Sequence, residues 1–213
     1  MYKPFKFYSV NRWLKKPGAK ILDIGCGNHS PSKARKYYPG CEYHGLDKTT
    51  EYNNDPHDFE CIDHFYQIDL ENKDELDAIP DAYFDCIMMA HIIEHLHHGE
   101  DVLLKLMKKL TLGGVIYLEF PSPHSAKLPS MPGTLNFYDD KSHVRIYDYK
   151  ALNDLLSKNG FKVLRSGTRR YWIGILLTPV FIIHSLIKYK EIQGSVFWDI
   201  LGFANYIIAV KTS

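Results

Sequence analysis

The feature that most constrains this chain is the segment Ile21 to Asn28, ILDIGCGN, where a short run of β-forming apolar residues passes directly into Gly25 and Gly27. Such a run reads as a buried strand of a parallel sheet. Two glycines at its end let the backbone approach a ligand closely at the carboxyl edge, where doubly wound folds bind their cofactors. Inside the run stands Asp23. A carboxylate in an apolar strand is costly unless it is hydrogen-bonded or paired, so Asp23 calls for a ligand or for a structural task such as pinning the glycine turn.

The rest of the chain repeats the alternation. Further strands are predicted at Cys41 to Leu46, His64 to Ile68, Phe84 to Ala90, Val115 to Phe120, Phe161 to Arg165 and Tyr206 to Val210, after a first at Lys20 to Ile24. Helical stretches fit between them. Ser30 reads as an N-cap with Pro31 at the first helical position, opening a helix through Tyr37. Val102, Leu103, Leu106, Met107 and Leu110 form an apolar stripe, and Asp148 can cap a helix carrying Ala151, Leu152, Leu155 and Leu156 that closes at Asn159-Gly160. This predicts an α/β fold, a doubly wound, mostly parallel seven-stranded sheet. The Pro/Ser-rich stretch Pro121 to Pro132 predicts a loop over a site.

Length and charge narrow the classes. At 213 residues the chain predicts one domain over residues 1–213. Its 26 Lys+Arg against 25 Asp+Glu leave no basic excess for displacing counterions, which argues against a nucleic-acid partner. The four cysteines, Cys26, Cys41, Cys61 and Cys86, form no C-x-x-C pair, so neither a disulfide framework nor a zinc ribbon is expected and a reducing, cytoplasmic setting fits. Met1 to Val10 has no apolar core or cleavage site of a secretory leader.

Acids stand at two further strand ends. Asp47 follows the second strand 20 residues after Gly27, a spacing suited to accepting both hydroxyls of a ribose. Asp69 follows the third strand, where a carboxylate can accept from an exocyclic amine. A dinucleotide reading needs a third small residue in G-x-G-x-x-G, and Gly25-Cys26-Gly27-Asn28-His29-Ser30 lacks it, so an NAD-dependent oxidoreductase is the less favoured alternative.

Taken together, LDIGCGN, YHGLD, YQIDLEN, FDCIMMAHIIEHL and LGGVIYLEFPSP, in this order, resemble the successive motifs of the class I S-adenosylmethionine-dependent methyltransferases, over about Lys20 to Arg165. The small bacterial members, in which a later His-x-Arg segment precedes the final helix, are the most similar; here that segment is His143-Val144-Arg145. The resemblance implies S-adenosylmethionine as cofactor and S-adenosylhomocysteine as product, with an antiparallel last strand. It implies that Asp23, Gly25, Cys26 and Gly27 surround the methionine part, Asp47 and Lys48 the ribose, Asp69 and Leu70 the adenine, and Ala90 and His91 the sulfonium side. A non-catalytic module that binds the same cofactor is the alternative from another functional class.

His91-Ile-Ile-Glu94-His95 also matches the H-x-x-E-H pattern of zinc peptidases. Its position directly after the fourth strand puts His91 at a strand end and not one helical turn before His95, so no metal is expected. Glu94 is read as a substrate-side group or as a residue fixing the following helix. His143 is the first candidate for a general base toward a hydroxyl acceptor, with His91 second, because histidine titrates near neutrality; an equal reading has His143 ordering its loop through a backbone contact. Arg145 is read as binding an anionic part of the acceptor or capping Asp139-Asp140. Tyr138 and Tyr147 are candidates for the acceptor pocket.

One segment is unlike the rest. Between the last two strands, residues 168–204 form an insert of 37 residues containing Tyr171 to Ile187, 17 residues without Asp, Glu, Lys or Arg. It reads as a helical cap whose apolar face is core, as a subunit interface, or as a surface resting on a membrane with Arg169, Arg170, Lys188 and Lys190 reaching lipid headgroups. Spanning is the least favoured: the run is about 26 Å long at 1.5 Å per residue, and Gly174 and Pro179 interrupt it. The acceptor class this suggests, by analogy, is a hydroxyl of a sugar or lipid-linked intermediate.

Overall fold

A computed structural model describes residues 3–50 and 52–213. Its centre is a seven-stranded sheet: β1 (Lys20–Ile24), β2 (Glu42–Asp47), β3 (His64–Gln67), β4 (Phe84–Ala90), β5 (Leu110–Pro121), β6 (Phe161–Thr168) and β7 (Ala204–Lys211), in the order β3-β2-β1-β4-β5-β7-β6. The first five strands are parallel, and β7 is antiparallel to both β5 and β6. The order reverses between β1 and β4, which opens a crevice at their carboxyl ends.

Period-two alternation divides β1 between two cores. Leu22 and Ile24 join Leu46, Ile87 and Met89 on one face, covered by Leu103 and Leu106 of helix α4 (Gly99–Lys109) and Leu152 and Leu156 of α5 (Tyr149–Lys158). Ile21 joins Tyr43, Met88 and Tyr117 on the other, beneath Phe7, Val10 and Leu14 of α1 (Phe5–Leu14). Each such fully buried leucine or phenylalanine contributes about 1.5–3 kcal/mol relative to exposure. Asp23 shares the α1 face, so its carboxylate lies where a helix covers it.

Several local expectations are refined. Helix α2 (Ser30–Tyr37) begins at Ser30, with His29 in the left-handed region as its cap position; the Ser30 hydroxyl is turned inward to Asp23 and does no capping. Asp148 does cap α5, accepting from the Lys150 N–H at 2.9 Å. A short α3 (Pro56–Glu60) follows β2, opened by an Asp55–Asp58 capping box. The Pro/Ser-rich stretch lines no cleft with the β1 and β2 ends: Leu128 packs with Leu135, Phe203 and Ala204 against the insert, because its apolar residues find that surface first.

The insert departs most from its reading as core. It forms α6 (Trp172–Tyr189) and α7 (Trp198–Leu201). Helix α6 runs unbroken through Gly174 and Pro179. Its buried positions are Gly174, Thr178 and Ser185, while Trp172 (63%), Leu176 (68%), Val180, Ile183 and Ile187 (69%) are exposed. The small and polar side faces the protein and the apolar side faces out.

Candidate active site

The glycine turn is held by strand register. Asp23 of β1 pairs with Gly45 of β2, and just beyond, the N–H groups of Gly25 and Cys26 donate to the Leu46 carbonyl at 2.8 and 3.3 Å. Gly25 has φ +71°, and a Cβ on it would lie 2.7 Å from Ile92 Cγ1; one on Gly27 would lie 2.7 Å from the Tyr52 carbonyl. Both must be glycine for the turn to close. Asp23 is fully buried. Its Oδ2 accepts from Ser30, from the Tyr43 hydroxyl at 2.8 Å and from Lys6 Nζ at 3.3 Å, while its Oδ1 is buried without a hydrogen-bond partner. Lys6 also donates to Ser30 Oγ at 2.7 Å.

Asp47 ends β2 with its carboxylate accepting the Thr49 N–H at 3.2 Å and with no ion-pair partner among the described residues. Burial pushes its pKa up against the backbone amides that hold it down. A vicinal diol offers this group the two donors it lacks.

Across the crevice stands a chain of ion pairs, buried at Glu119 and partly exposed at His91, Arg169 and Asp199. His91, one residue past β4 at φ +56°, donates Nδ1–H to Glu94 Oε1 at 3.2 Å and Nε2–H to Glu119 Oε1 at 3.0 Å. Burial pushes its pKa down, but the bonds to Glu119 and Glu94 outweigh this and set it at about 9. Glu119 also accepts from the Tyr117 hydroxyl and from Arg169 Nη1 at 2.5 Å. Burial raises its pKa, and Arg169 and His91 more than reverse that, to about 2. Arg169 Nε continues to Asp199 Oδ1 at 2.7 Å, and the Trp198 ring lies over His91 with centroids 4.8 Å apart. These pairs tie the end of β4 to the insert.

These groups enclose a cleft of about 370 Å³ lined by Phe5, Lys6, Gly25, Gly27, Lys33, Asp47, Tyr52, Ala90, His91, Glu119, Arg169, Trp198 and Asp199, among others. Of the residues read from the sequence, Gly25, Gly27, Asp47, Ala90 and His91 line it, with Asp23 beneath the turn. Cys26 is buried with its Sγ against Gly45, in the core, where burial pushes the thiol pKa up. Lys48 and Asp69 are exposed and Leu70 is in the core; none of the three lines this cleft, and the Asp69 carboxylate accepts the Glu71 N–H at 3.1 Å.

The acceptor-side assignments need correction. His143 does not line the cleft: it lies behind Glu94, its Nδ1 donating to the Phe137 carbonyl at 2.6 Å, which is the loop-ordering contact. Arg145 takes neither expected role and pairs with Glu100 at 2.6 Å. Tyr138 is exposed, Tyr147 packs on Phe120 in the core, and Glu94 is buried behind His91. His91, holding a proton between two carboxylates, is no base near neutrality. Missed by the sequence reading were Lys6, Tyr52, Glu119, Arg169, Trp198 and Asp199. Glu119 carried the same signal as Asp23, a carboxylate inside an apolar strand; Arg169 and Asp199 carry no local signal, since each has meaning only through the other.

Comparison with known proteins places this architecture. The family model described as a methyltransferase domain matches residues 5–166. A malonyl-[acyl-carrier protein] O-methyltransferase of Enterobacter lignolyticus is 29% identical over 144 residues, 65% of this chain and 53% of that protein, so the chain spans about half the length of the curated relative it matches. Among solved structures, a SAM-dependent methyltransferase from Archaeoglobus fulgidus superposes with a TM-score of 0.63 at 19% identity, covering 97% of this chain and 91% of the other. The Haemonchus contortus phosphoethanolamine N-methyltransferase 2 in complex with S-adenosyl-L-methionine gives 0.69 at 15% identity, over 98% and 52%.

Proposed function

The chain belongs to the methyltransferase-domain family, and from that premise we propose that it transfers the methyl group of S-adenosylmethionine to a hydroxyl of a sugar or lipid-linked acceptor met at a membrane surface. The observation that carries the reading is the pairing of the glycine-turn cleft with an outward-facing apolar helix that begins three residues after the lining residue Arg169.

The residues present fit the cofactor. Asp47 would hold the ribose hydroxyls, and the unpartnered Asp23 Oδ1 beneath Gly25 and Gly27 suits an ammonium group, with Lys6 beside it for a carboxylate. When bound, S-adenosylmethionine supplies a methyl carbon already made electrophilic by its sulfonium, so the chain has chiefly to align the acceptor and exclude water. Trp198 and Phe5 provide apolar walls for that purpose. His91 holds Glu119 and, through it, Arg169 in place. Asp199 gives Oδ1 to Arg169 and to the Tyr171 N–H, and it is the lining carboxylate we assign to accept the proton of the acceptor hydroxyl.

Helix α6 supports the lipid-linked class. It is long and apolar enough to cross a membrane by length and composition. Its seat on the protein through Gly174, Thr178 and Ser185 instead favours lying in the interface plane, exposed leucines and isoleucines down. Trp172 and Tyr189 stand at its two ends, where amphipathic rings favour headgroup depth. The charge is complementary to anionic lipid: no acid occurs from Thr168 to Lys190, while Arg170, Lys188 and Lys190 flank the helix. The helix adjoins the cleft in the chain: Arg169, three residues before α6, lines it, as do Trp198 and Asp199 of α7.

The test incubates the full chain with methyl-labelled cofactor and fractionated lipid and sugar extracts, followed by mass spectrometry. Label in a lipid fraction, with Asp199→Asn releasing far less S-adenosylhomocysteine at retained cofactor affinity, is the expected result. Cofactor binding with no turnover in any fraction would leave a binding module instead.

A further inference from the structure

The H-x-x-E-H segment contains two of three residues of a different arrangement. We propose that Glu94, His95 and His143 bind a divalent transition-metal ion of the zinc class, at a site behind the cofactor cleft. One ligand atom from each lies within 4.8 Å of the others. The zinc-peptidase reading pairs His91 with His95, but His91 is committed to Glu94 and Glu119, and His143 takes its place from a distant part of the chain.

Hydrogen bonding prepares both imidazoles as ligands. A carbonyl only accepts, so the 2.6 Å contact of His143 Nδ1 with the Phe137 carbonyl puts a proton on Nδ1, and in the neutral ring this makes Nε2, 4.0 Å from Glu94 Oε1, the nitrogen that can ligate. Ser142 Oγ lies 2.5 Å from Asp140 Oδ1, which claims the hydroxyl proton, so the 3.0 Å contact with His95 Nδ1 is an N–H donating to Ser142 and Nε2 is again the unprotonated nitrogen. Metal-bound histidines characteristically have such a partner on the second nitrogen, fixing tautomer and ring orientation.

The carboxylate is independently incomplete. Glu94 is 1% exposed, and its Oε2 is buried with no hydrogen-bond partner. A buried carboxylate with an unpaired oxygen is expensive, and a cation held by Glu94, whose Oε1 faces His143 Nε2 at 4.0 Å, offsets part of that expense. The two rings converge without stacking, centroids 4.8 Å apart at 53°. Asp140 Oδ2, 3.9 Å from His143 Nε2, is available as a fourth donor. Two nitrogens and one or two carboxylate oxygens form a zinc donor set. The frame is rigid where it needs to be, because the Glu94 carbonyl accepts from the Val144 and Arg145 N–H groups at 2.9 and 3.2 Å and clamps the two segments together.

The test is calorimetric titration of Zn²⁺ into the tag-free, chelator-treated full chain, with Co²⁺ as a spectroscopic probe. Expected are one equivalent of tight binding, visible ligand-field bands with Co²⁺, and a rise in melting temperature that chelator reverses. Ser142→Ala, which removes an orienting partner, should weaken binding by about 10–100-fold, and His95→Ala or His143→Ala by more, while the exposed His98→Ala leaves it unchanged. The wild-type melting shift tests the site even where a variant fails to fold. No Zn²⁺ binding by the wild type, or binding unchanged in a folded His95→Ala/His143→Ala chain, overturns the proposal.

Discussion

The two walls of the cleft are made in different ways. The wall of Asp23, Gly25, Gly27 and Asp47 comes from the ends of two adjacent parallel strands, and its groups lie within a few residues of a strand end whose register with its neighbour sets their place. The facing wall is assembled from α1, β5, the residue after β6, and α7, and it is held by the relay His91–Glu119–Arg169–Asp199. The first wall keeps spare acceptor capacity: Asp23 Oδ1 has no hydrogen-bond partner, and the Asp47 carboxylate is held by backbone N–H groups alone. The second ties most of its charge internally through His91, Glu119 and Arg169, with Asp199 alone turned to the proposed chemistry, so the loss of Arg169 should appear as instability before it appears as weak cofactor binding.

Removing Arg169 should have the largest effect. Arg169→Met takes the guanidinium from the buried Glu119, leaving it His91 alone, and from the partly exposed Asp199; breaking a buried pair from one side costs about 3–5 kcal/mol, read as a lowered urea midpoint at unchanged slope. If the walls are separable as described, the folded variant keeps its affinity for S-adenosylhomocysteine within a few-fold; a collapse of affinity with little loss of stability would reverse the assignment.

Acid should attack the same wall. The Glu119 pKa is depressed to about 2, burial opposing and Arg169 and His91 prevailing. A depressed carboxylate contributes stability that is fully present above its unfolded value, near 4.5, and is lost as pH falls through 2. That contribution is about 3 kcal/mol at 1.36 kcal/mol per unit. Chemical denaturation between pH 5 and 2 should therefore fall more steeply in the wild type than in Glu119→Gln; parallel slopes would show that Glu119 is not held in its charged form.

Asp47→Asn probes the other wall. With only backbone N–H groups on its carboxylate, the variant should keep wild-type stability, and it should lose about 1.5–3 kcal/mol of S-adenosylhomocysteine affinity, the worth of hydrogen bonds to a charged group. Calorimetry reads this directly. Unchanged affinity would remove Asp47 from the site and with it the contrast between the walls.

That contrast also explains what could be read from the sequence. Asp23, the glycine turn, Asp47, the Asp148 cap and the strand positions were legible because each is encoded within one strand and its exit. Helix α1 carries the spacing Phe7, Val10, Leu14, but ten residues without a side-chain cap announce little, and that Lys6 reaches Asp23 depends on how the helix crosses the sheet. Arg169 and Asp199 lie 30 residues apart and meet only after β6 and β7 have paired. His143 and Arg145 fall outside the cleft for the same reason: their segment follows a loop whose path is set by Glu94 and Glu100, contacts between distant parts of the chain.

The smallest effect on stability is expected where the exposed apolar surface is greatest. Leu176 and Ile183 point out from α6, with nothing in the fold to lose when they change, so Leu176→Asp/Ile183→Asp should alter stability by no more than about 0.5 kcal/mol per site. If α6 were core, the same pair would unfold the chain. Its expected effect lies elsewhere: co-sedimentation with vesicles containing anionic lipid should be strong for the wild type, weaker at high salt, and lost in the variant, while S-adenosylhomocysteine affinity is untouched. A wild type that ignores vesicles but elutes as a dimer, which the same substitutions dissociate, would make the helix a subunit interface, and the acceptor would then have to be sought among soluble molecules.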